Sequence, residues 1–472
     1  MVFNSTEFLF LFLPITLIGY FTLNNLKSKN ISKLWLVLCS LFFYGYYNKW
    51  YLFIISSSVI VNFIIGNKIH SYNCKNLISK IYLLIGITFN LLLLGYFKYY
   101  DFFVFNLNKI FITNLKVLNI ILPLGISFFT FQQLSFLIDS YKGSNIKYNF
   151  LDYCLFVTFF PQLIAGPIVL PSEMLPQFED NFNKKINYEN MSKGLYLLSI
   201  GLVKKVFIAD TLAILANSGF NNPNNLTMMD SILTSFGYTF QLYFDFSGYC
   251  DIAMGIAFMF NIKLPLNFNS PYKSTNIKEF WNNWHITLGR FLTNYIYYPL
   301  GGSKLGKTRT LLNLFIVFFI SGIWHGAGWP FILWGCLHGF AIIIHRLWTY
   351  TNKKLPKILG WFITFNIVNI LWVFFRANNI TSAFKIIKSM FNISTLYQGF
   401  SNEYLSLINP NLELKFCLII AIIIALFAPK SNKIVNSMKF NLKTNLIIIF
   451  YLTLSIFIIL SNKVSTFLYF NF

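Results

Sequence analysis

The chain of 472 residues is 56% hydrophobic and only 11% charged. Soluble proteins carry about 25% charged residues, so this deficit excludes a large soluble enzyme and indicates a polytopic membrane protein. The formal net charge of +22 is gathered into short Lys and Arg clusters between apolar runs, as topology-setting charges are. A nucleic-acid-binding protein needs a basic face on a soluble module instead, so no nucleic-acid partner is predicted.

Apolar runs bounded by charged or turn residues predict the membrane-spanning helices. A spanning helix needs about 20 mostly apolar residues, and several runs are shorter or interrupted. We therefore predict about 11 spans, with additional re-entrant and interfacial helices. The runs are residues 8–23, 34–47, 51–66, 81–97, 118–138, 151–170, 194–216, 231–260, 310–327, 329–345, 358–375, 416–428 and 446–460.

The basic clusters predict the orientation of the chain. The first run has no basic region before it and no small-residue cleavage site, which predicts a retained helix rather than a signal peptide. Positively charged residues mark cytoplasmic loops. The loop of residues 263–309 and four lysine clusters are therefore predicted to lie in the cytoplasm, and the N-terminus is predicted to lie outside it. The clusters are Lys27, Lys29 and Lys33; Lys68, Lys75 and Lys80; Lys353, Lys354 and Lys357; and Lys430, Lys433, Lys439 and Lys443.

Two runs break the plain spanning pattern. Residues 155–171 hold three prolines and a glycine, and non-helical backbone at membrane depth is tolerated only where it is buried in protein or lines a cavity. A re-entrant segment is therefore predicted there. Lys204, Lys205 and Asp210 interrupt residues 194–216, so this helix is predicted to pack inside the bundle or at its rim.

The cysteines show no spacing typical of a metal or redox site. We predict no disulfide framework and no metal site, because most of them lie in apolar runs as small core residues. They are Cys39, Cys74, Cys154, Cys250, Cys336 and Cys417.

The first candidate site residue is His285, in NIKEFWNNWHITLGRF. Apolar residues recur at helical spacing over residues 277–297, and polar residues take the other face. This pattern predicts one interfacial helix in the headgroup plane, anchored by Trp. His285 borders the apolar face, where both an ordinary interfacial histidine and a site residue remain open.

The second candidate is His325, inside the apolar segment SGIWHGAGW. An intramembrane histidine is rare and usually marks a site, and imidazole exchanges protons near neutral pH, as a general base must. The flanking glycines allow close approach of a substrate or another backbone. The alternative is a histidine hydrogen-bonded between helices. His338 and His345 complete no metal set and are predicted to be packing or interfacial residues.

Two carboxylates lie in the apolar stretch FQLYFDFSGYCD. Asp245 and Asp251 must find partners there. They are predicted either to orient a histidine or an arginine such as Arg290, or to form purely structural pairs. The loop YPLGGSK, residues 298–304, is a weak candidate for approaching a phosphate.

Several segments together resemble the membrane-bound O-acyltransferase superfamily, in its bacterial alginate O-acetyltransferase branch. They also look similar to peptidoglycan O-acetyltransferases and D-alanyl-lipoteichoic acid transferases. The resemblance covers most of residues 1–375. It is most specific in FDFSGYCDIAMGIAFMFNIKLPLNFNSPY (244–272), KEFWNNWHITLGRFLTNYIYYPLGG (278–302) and SGIWHGAGWPFILWGCLHG (321–339).

The resemblance implies an all-α helical bundle with a central funnel, which holds the catalytic histidine. That residue is His325, and His285 matches the family's second histidine. One departure is that the family often has arginines where this chain has Asn282 and Asn283, which weakens any phosphate contact expected there. The candidate substrate-binding residues are Asp245, Trp284, Arg290, Trp324 and Trp329.

The whole chain, residues 1–472, is predicted to be a single membrane domain. Its family-like core is residues 121–345, with N-terminal helices before it (1–120) and C-terminal helices after it (346–472). Hydropathy puts His325 at the turn of a hairpin between residues 310 and 347, whereas the resemblance implies a position deep in the bundle. We expect the glycine-rich turn to dip inward.

The predicted function is transfer of an acetyl group from a cytoplasmic thioester, such as acetyl-CoA, to hydroxyls of an exported or cell-envelope polysaccharide. The donor is a substrate, and no bound cofactor is predicted. The resemblance implies the bacterial cytoplasmic membrane, its lipids, and a periplasmic or extracellular partner of the SGNH type. Alginate-like polysaccharide and peptidoglycan remain open as acceptors. The alternatives are a D-alanyl transferase that uses a carrier-protein thioester, and a transporter or flippase, whose paired broken helices are not visible.

Overall fold

In the computed structural model the regular secondary structure of the described residues is helical, with no β-strand among them, which confirms the all-α prediction. Four residues of the sequence predictions, Cys74, Lys27, Lys75 and Lys439, lie outside the described residues. The described residues are 1–25, 29–72, 76–143, 148–396, 412–431, 433, 435, 441–461 and 465–468.

The α-helices are numbered in chain order. They are α1 (Leu13–Asn24), α2 (Lys29–Gly45), α3 (Trp50–Ser71), α4 (Leu77–Leu94), α5 (Tyr100–Phe111), α6 (Ile126–Lys142), α7 (Phe150–Thr158), α8 (Phe160–Leu163), α9 (Pro171–Glu179), α10 (Tyr188–Leu202), α11 (Asp210–Asn221), α12 (Met228–Met259), α13 (Ile277–Asn283), α14 (Ile286–Leu292), α15 (Lys307–His325), α16 (Trp329–Tyr350), α17 (Lys357–Arg376), α18 (Ile380–Met390), α19 (Leu412–Phe427) and α20 (Leu442–Ser461).

Six helical spans in the described chain are long and apolar enough to cross a membrane. The predicted number of about 11 is not confirmed by length and composition alone. Large apolar side chains such as Phe450 and Phe457 are exposed on these helices, as expected for surfaces that lipid covers. The spans are α3, the continuous stretch Leu77–Phe111, α15, α16, α17 and α20.

The chain divides into two compact units. The first is formed by Met1–Ile200, Cys250–Pro265 and Met438–Phe470. Inside it a buried amide network joins α3, α4 and α6. Asn62 donates a hydrogen bond to Gln133 Oε1 (2.6 Å), and Asn90 donates one to Asn62 Oδ1 (2.6 Å). Such polar contacts hold helices together where lipid provides no hydrophobic drive between them.

The predicted break in residues 155–171 is present. After α8 the chain runs without helical structure up to Pro171, and residues 164–169 are buried. Buried in protein, this backbone satisfies the condition for irregular structure at membrane depth. A Cβ at Gly166 would lie 2.4 Å from the backbone Cα of Gln162, so the turn requires glycine.

The second compact unit comprises Gly201–Tyr249, Leu266–Ser437 and Asn471–Phe472. The predicted hairpin of this unit is confirmed by α15 and α16, which are joined by the short connection Gly326–Gly328. A Cβ at Gly322 would lie 2.5 Å from the carbonyl oxygen of Phe331 and 3.0 Å from Cα of Gly335. The two helices therefore approach closely at these glycines, one turn from His325.

The prediction of one helix over residues 277–297 is wrong. Helix α13 ends at Asn283, and α14 begins at Ile286. Between them His285 has a left-handed backbone, with φ of 47°. A residue outside both helices stabilises the break: the Ile286 backbone N–H donates a hydrogen bond to the Asn267 carbonyl oxygen (3.0 Å). Hydrophobic periodicity does not reveal such a contact.

Lys33 and Asp152 form a buried ion pair between α2 and α7 of the first unit. We expect Lys33→Met to destabilise the protein by about 3–5 kcal/mol, because it leaves a buried carboxylate without its cation. The double variant Lys33→Met/Asp152→Leu should recover much of this loss. Thermal unfolding of the purified protein in detergent measures both effects.

The matched control is Lys80→Met, because Lys80 is exposed and its replacement should change stability by no more than about 0.5 kcal/mol. A double variant as unstable as Lys33→Met would contradict the proposed role of the pair.

Candidate active site

His285 is fixed by Asn267. The imidazole Nδ1 lies 3.1 Å from Asn267 Oδ1, which also accepts hydrogen bonds from Thr287 N (3.2 Å) and Thr287 Oγ1 (2.9 Å). With the amide oxygen as acceptor, Nδ1 carries the proton and donates it. In a neutral imidazole the basic nitrogen is then Nε2.

His325 is fixed in the same way by its own helix. Its Nδ1 lies 2.7 Å from the carbonyl oxygen of Ser321, one turn earlier in α15. A backbone carbonyl only accepts, so Nδ1 donates and Nε2 is again the basic nitrogen. The rings of Trp334 (5.0 Å) and Phe375 (5.2 Å) pack against the imidazole and hold its plane.

The two histidines contact a common ring. The ring centre of Trp324 is 4.9 Å from that of His325 and 6.2 Å from that of His285. Both imidazoles are buried, with exposed fractions of 3% for His325 and 1% for His285. Burial, and to a smaller extent the nearby His325, lowers the pKa of His285 well below its ordinary value. His285 is therefore neutral at neutral pH.

A cavity of about 660 Å³ opens beside these histidines. His285 and Ser321 line it, while His325 lies one turn beyond Ser321 and does not. Along α15 the lining residues run from Thr310 to Ser321, about 16 Å at a rise of about 1.5 Å per residue. The cavity therefore leads from the basic start of α15 towards His285.

The cavity end away from the histidines is basic. Lys278 from α13 and Arg346 from α16 line it and act electrostatically on His345, which lies beside them. Lys307 and Arg346 both lie over the ring of Tyr350, which puts Arg346 next to the start of α15. Arg290 also lines the cavity, and no Asp or Glu does. This charge distribution suits a ligand with a negatively charged end.

The remaining predicted site residues lie in different settings. Arg290 lines the cavity, and Trp324 contacts both histidines. Trp284 is buried against Trp372 (4.9 Å), away from the cavity lining. Trp329 is 54% exposed at the start of α16.

The two carboxylates also lie apart from the cavity lining. Asp245 forms a buried ion pair with Lys205 (2.7 Å), which also pairs with Asp210 (2.9 Å). Asp251 belongs to the first compact unit. The ion pair with Lys205 is a contact of the kind that structural pairing, one of the two alternatives left open by the sequence, predicts for Asp245. The described residues include no group of three potential metal ligands.

Sequence reasoning missed four residues of the site. Lys278, Ser321 and His345 line the cavity, and Asn267 orients His285. A signal existed for Lys278, since it shares a helical face with Trp281 and Asn282, both of which line the cavity. No sequence pattern marks Asn267, because its partner is 18 positions away.

His338 is a packing residue, as predicted. It is fully buried, and its Nδ1 accepts a hydrogen bond from Trp281 Nε1 (3.3 Å). Through this bond it holds the indole of Trp281, which lines the cavity.

The site motifs lie within a region that matches a known family. The sequence model of the membrane-bound O-acyltransferase family matches residues 103–384, more than half of the chain. The chain belongs to the membrane-bound O-acyltransferase family. It is therefore a membrane acyltransferase, and the predicted family and enzyme class are confirmed. The location in the bacterial cytoplasmic membrane agrees with the family and with the six candidate spans.

Three relatives show the range of the family. The chain is 47% identical to a peptidoglycan O-acetyltransferase of Helicobacter pylori over 446 residues, which cover 87% of this chain and 84% of the relative. It is 39% identical to a probable alginate O-acetylase of Pseudomonas aeruginosa over 84% of this chain and 76% of that protein. A teichoic acid D-alanyltransferase of Bacillus subtilis is 28% identical over 53% of this chain and 67% of that protein.

We predict that Asn267→Asp raises the pKa of His285, because a carboxylate keeps the acceptor for Nδ1 and adds an opposite charge. Since the pKa of His285 is depressed in the wild type, its imidazole should take up a proton at a higher pH in the variant. Histidine ¹⁵N chemical shifts measured against pH test this, with His285→Gln to assign the signal.

Asn267→Ala should instead leave the pKa of His285 low and loosen the turn, costing about 1–3 kcal/mol of unfolding free energy. Identical titration of His285 in the wild type and in Asn267→Asp would contradict the assigned hydrogen bond.

Proposed function

We propose that this enzyme moves an acetyl group from a cytoplasmic thioester, with acetyl-CoA as donor, to hydroxyls of a cell-envelope or exported polysaccharide. The observation that carries the proposal is the arrangement of the cavity. His285, whose tautomer is fixed, lines the cavity, and His325, whose tautomer is fixed in the same way, lies one turn beyond the lining residue Ser321. Basic side chains from α13 and α16 line the cavity near the start of α15. A thioester donor with a polyanionic end needs both features.

His325 is proposed as the general base. Its Nε2 takes the proton of the acceptor hydroxyl while the hydroxyl oxygen attacks the thioester carbonyl. When the tetrahedral intermediate collapses, the C–S bond breaks and the imidazolium returns the proton to the departing thiolate. The hydrogen bond from Nδ1 to the Ser321 carbonyl supports the imidazolium during the step.

His285 is proposed to position the acceptor. Its Nδ1 is committed to Asn267, so Nε2 only accepts a hydrogen bond. A neutral imidazole with this tautomer is suited to hold the hydroxyl of the acceptor rather than to stabilise an oxyanion. The low pKa of His285 keeps it in the accepting form.

The charges favour an acetyl donor over a D-alanyl donor. Phosphate groups pair well with Lys and Arg side chains, and Lys278, Arg290 and Arg346 line the cavity. These cations compensate for Asn282, which lies where the family often has arginine. A D-alanyl group carries an ammonium, which would meet no carboxylate, because no acidic residue lines the cavity.

Peptidoglycan is the proposed acceptor, because the relative that is 47% identical over 84% of its length is named a peptidoglycan O-acetyltransferase. An alginate-like polysaccharide is the second candidate, supported by the alginate O-acetylase relative at 39% identity. We further propose that a periplasmic or extracellular partner of the SGNH type completes the transfer to the polymer.

His325→Gln should reduce acetyl transfer by about 10²–10⁴-fold, since it removes the proton acceptor. The assay uses purified protein in nanodiscs with radiolabelled acetyl-CoA and measures released CoA and labelled acceptor. The matched control is His70→Gln in α3, which should keep wild-type activity. Wild-type turnover by a folded His325→Gln protein would refute the role of the base.

Lys278→Gln and Arg346→Gln should each raise the KM for acetyl-CoA about 10-fold or more, because a charged hydrogen-bond partner of the donor is lost. The kcat should stay within about twofold, as expected when ground-state and transition-state binding weaken equally. Initial rates against acetyl-CoA concentration measure both constants.

The matched control is Lys353→Gln, since Lys353 is exposed and does not line the cavity. An unchanged KM in both cavity variants would contradict the donor assignment. Activity with an acylated carrier protein and none with acetyl-CoA would favour the D-alanyl type of chemistry.

A further inference from the structure

His285 lines the cavity, and its imidazole also contacts two aromatic rings. The ring of Phe246, from α12, is 4.9 Å from the imidazole and nearly perpendicular to it, and the ring of Trp324 is 6.2 Å away. Neither ring lines the cavity, and no residue of α12 does. These two rings therefore contact His285 from outside the cavity lining.

The two rings are backed by further packing. Phe246 is 1% exposed and contacts Phe268 (4.9 Å), and Trp324 is 5% exposed and contacts His325 (4.9 Å). Protein interiors are packed so closely that one added methylene must displace neighbours. The rings leave no room for an extended chain without rearrangement.

The orientation of a bound donor determines which part of it lies next to the rings of Phe246 and Trp324. In the proposed function its charged end binds among the lining residues Lys278, Arg290 and Arg346, which directs the thioester along the cavity towards His285 and Ser321. The acyl carbons lie on the far side of the carbonyl from the sulfur arm. They therefore point past His285, towards Phe246 and Trp324.

We propose that Phe246 and Trp324 form a back wall that restricts the transferred acyl group to acetyl. This proposal rests on the acyl transfer proposed above and names the residues that determine acyl-chain specificity. A methyl group fits between the carbonyl and the wall. A butyryl chain meets the rings, so its carbonyl stops short of the position from which the acceptor hydroxyl can attack.

The test compares acetyl-, propionyl- and butyryl-CoA as donors for the wild type, Phe246→Ala, Phe246→Leu and Trp324→Phe. We expect the ratio of kcat/KM for butyryl-CoA to that for acetyl-CoA to rise in each variant. Each methylene that the enlarged site buries contributes about fourfold, so Phe246→Ala should gain about 15-fold for two methylenes. Phe246→Leu and Trp324→Phe should gain less.

Phe240 provides the matched control. It is buried on the same helix as Phe246 and packs on Phe236, Tyr272 and Phe365 rather than on a histidine. Phe240→Leu and Phe240→Ala should cost comparable stability and leave the donor ratio unchanged. If Phe246→Ala does not fold, the donor ratios of Phe246→Leu and Trp324→Phe test the proposal. Thermal unfolding of each variant shows whether it is folded.

The outcomes separate the two proposals. A wild type that transfers no acyl group from any of the three donors refutes the proposed function. If the wild type transfers acetyl but the Phe246 and Trp324 variants show the same butyryl-to-acetyl ratio of kcat/KM as the Phe240 variants, the proposed back wall is refuted. The proposed function then still stands. A rise in the ratio confined to the Phe246 and Trp324 variants supports it.

Discussion

The site depends on two hydrogen bonds that each take the Nδ1 proton of a histidine. Ser321 provides a backbone carbonyl for His325, and Asn267 provides an amide oxygen for His285. Because an imidazole with a committed Nδ1–H has only Nε2 left as a base, the two bonds set the chemical role of both rings. The hydrogen bond from His325 to Ser321 does not depend on the side chain at position 321, because every residue there has a backbone carbonyl. The helix geometry alone brings it to the ring.

The second constraint is the uneven distribution of charge along the cavity. Its basic residues come from α13, α14 and α16, and those of α13 and α16 lie together near His345, whereas aromatic rings surround His285 and His325. Burial in this setting lowers the pKa of His285 and keeps its imidazole neutral. In the proposed function, the same gradient would orient a polyanionic thioester with its reactive end towards the histidines. Donor binding and chemistry would then be separated along the cavity.

Much of the site could be predicted from individual residues. His325 was a candidate because it lies among glycines and tryptophans inside an apolar run and matches the family motif, and Arg290 was named as a possible partner of Asp245 or Asp251. Asn267 and Phe246 gave no such signal. Each acts on His285 from a different element, and their roles follow from the left-handed turn at His285, which interrupts the helix that periodicity predicts.

The sequence by itself determined the membrane class and the α15–α16 hairpin, which follow from apolar run lengths and from the glycines that punctuate them. It also marked both histidines as candidates, through the rarity of histidine in lipid and the family resemblance. Only the tertiary structure decided which nitrogen of each histidine is basic, which cations share a cavity, and that Asp245 pairs with Lys205. The physical reason is that hydrogen bonds and ion pairs act over a few ångströms, and the residues that make them are brought together by helix packing.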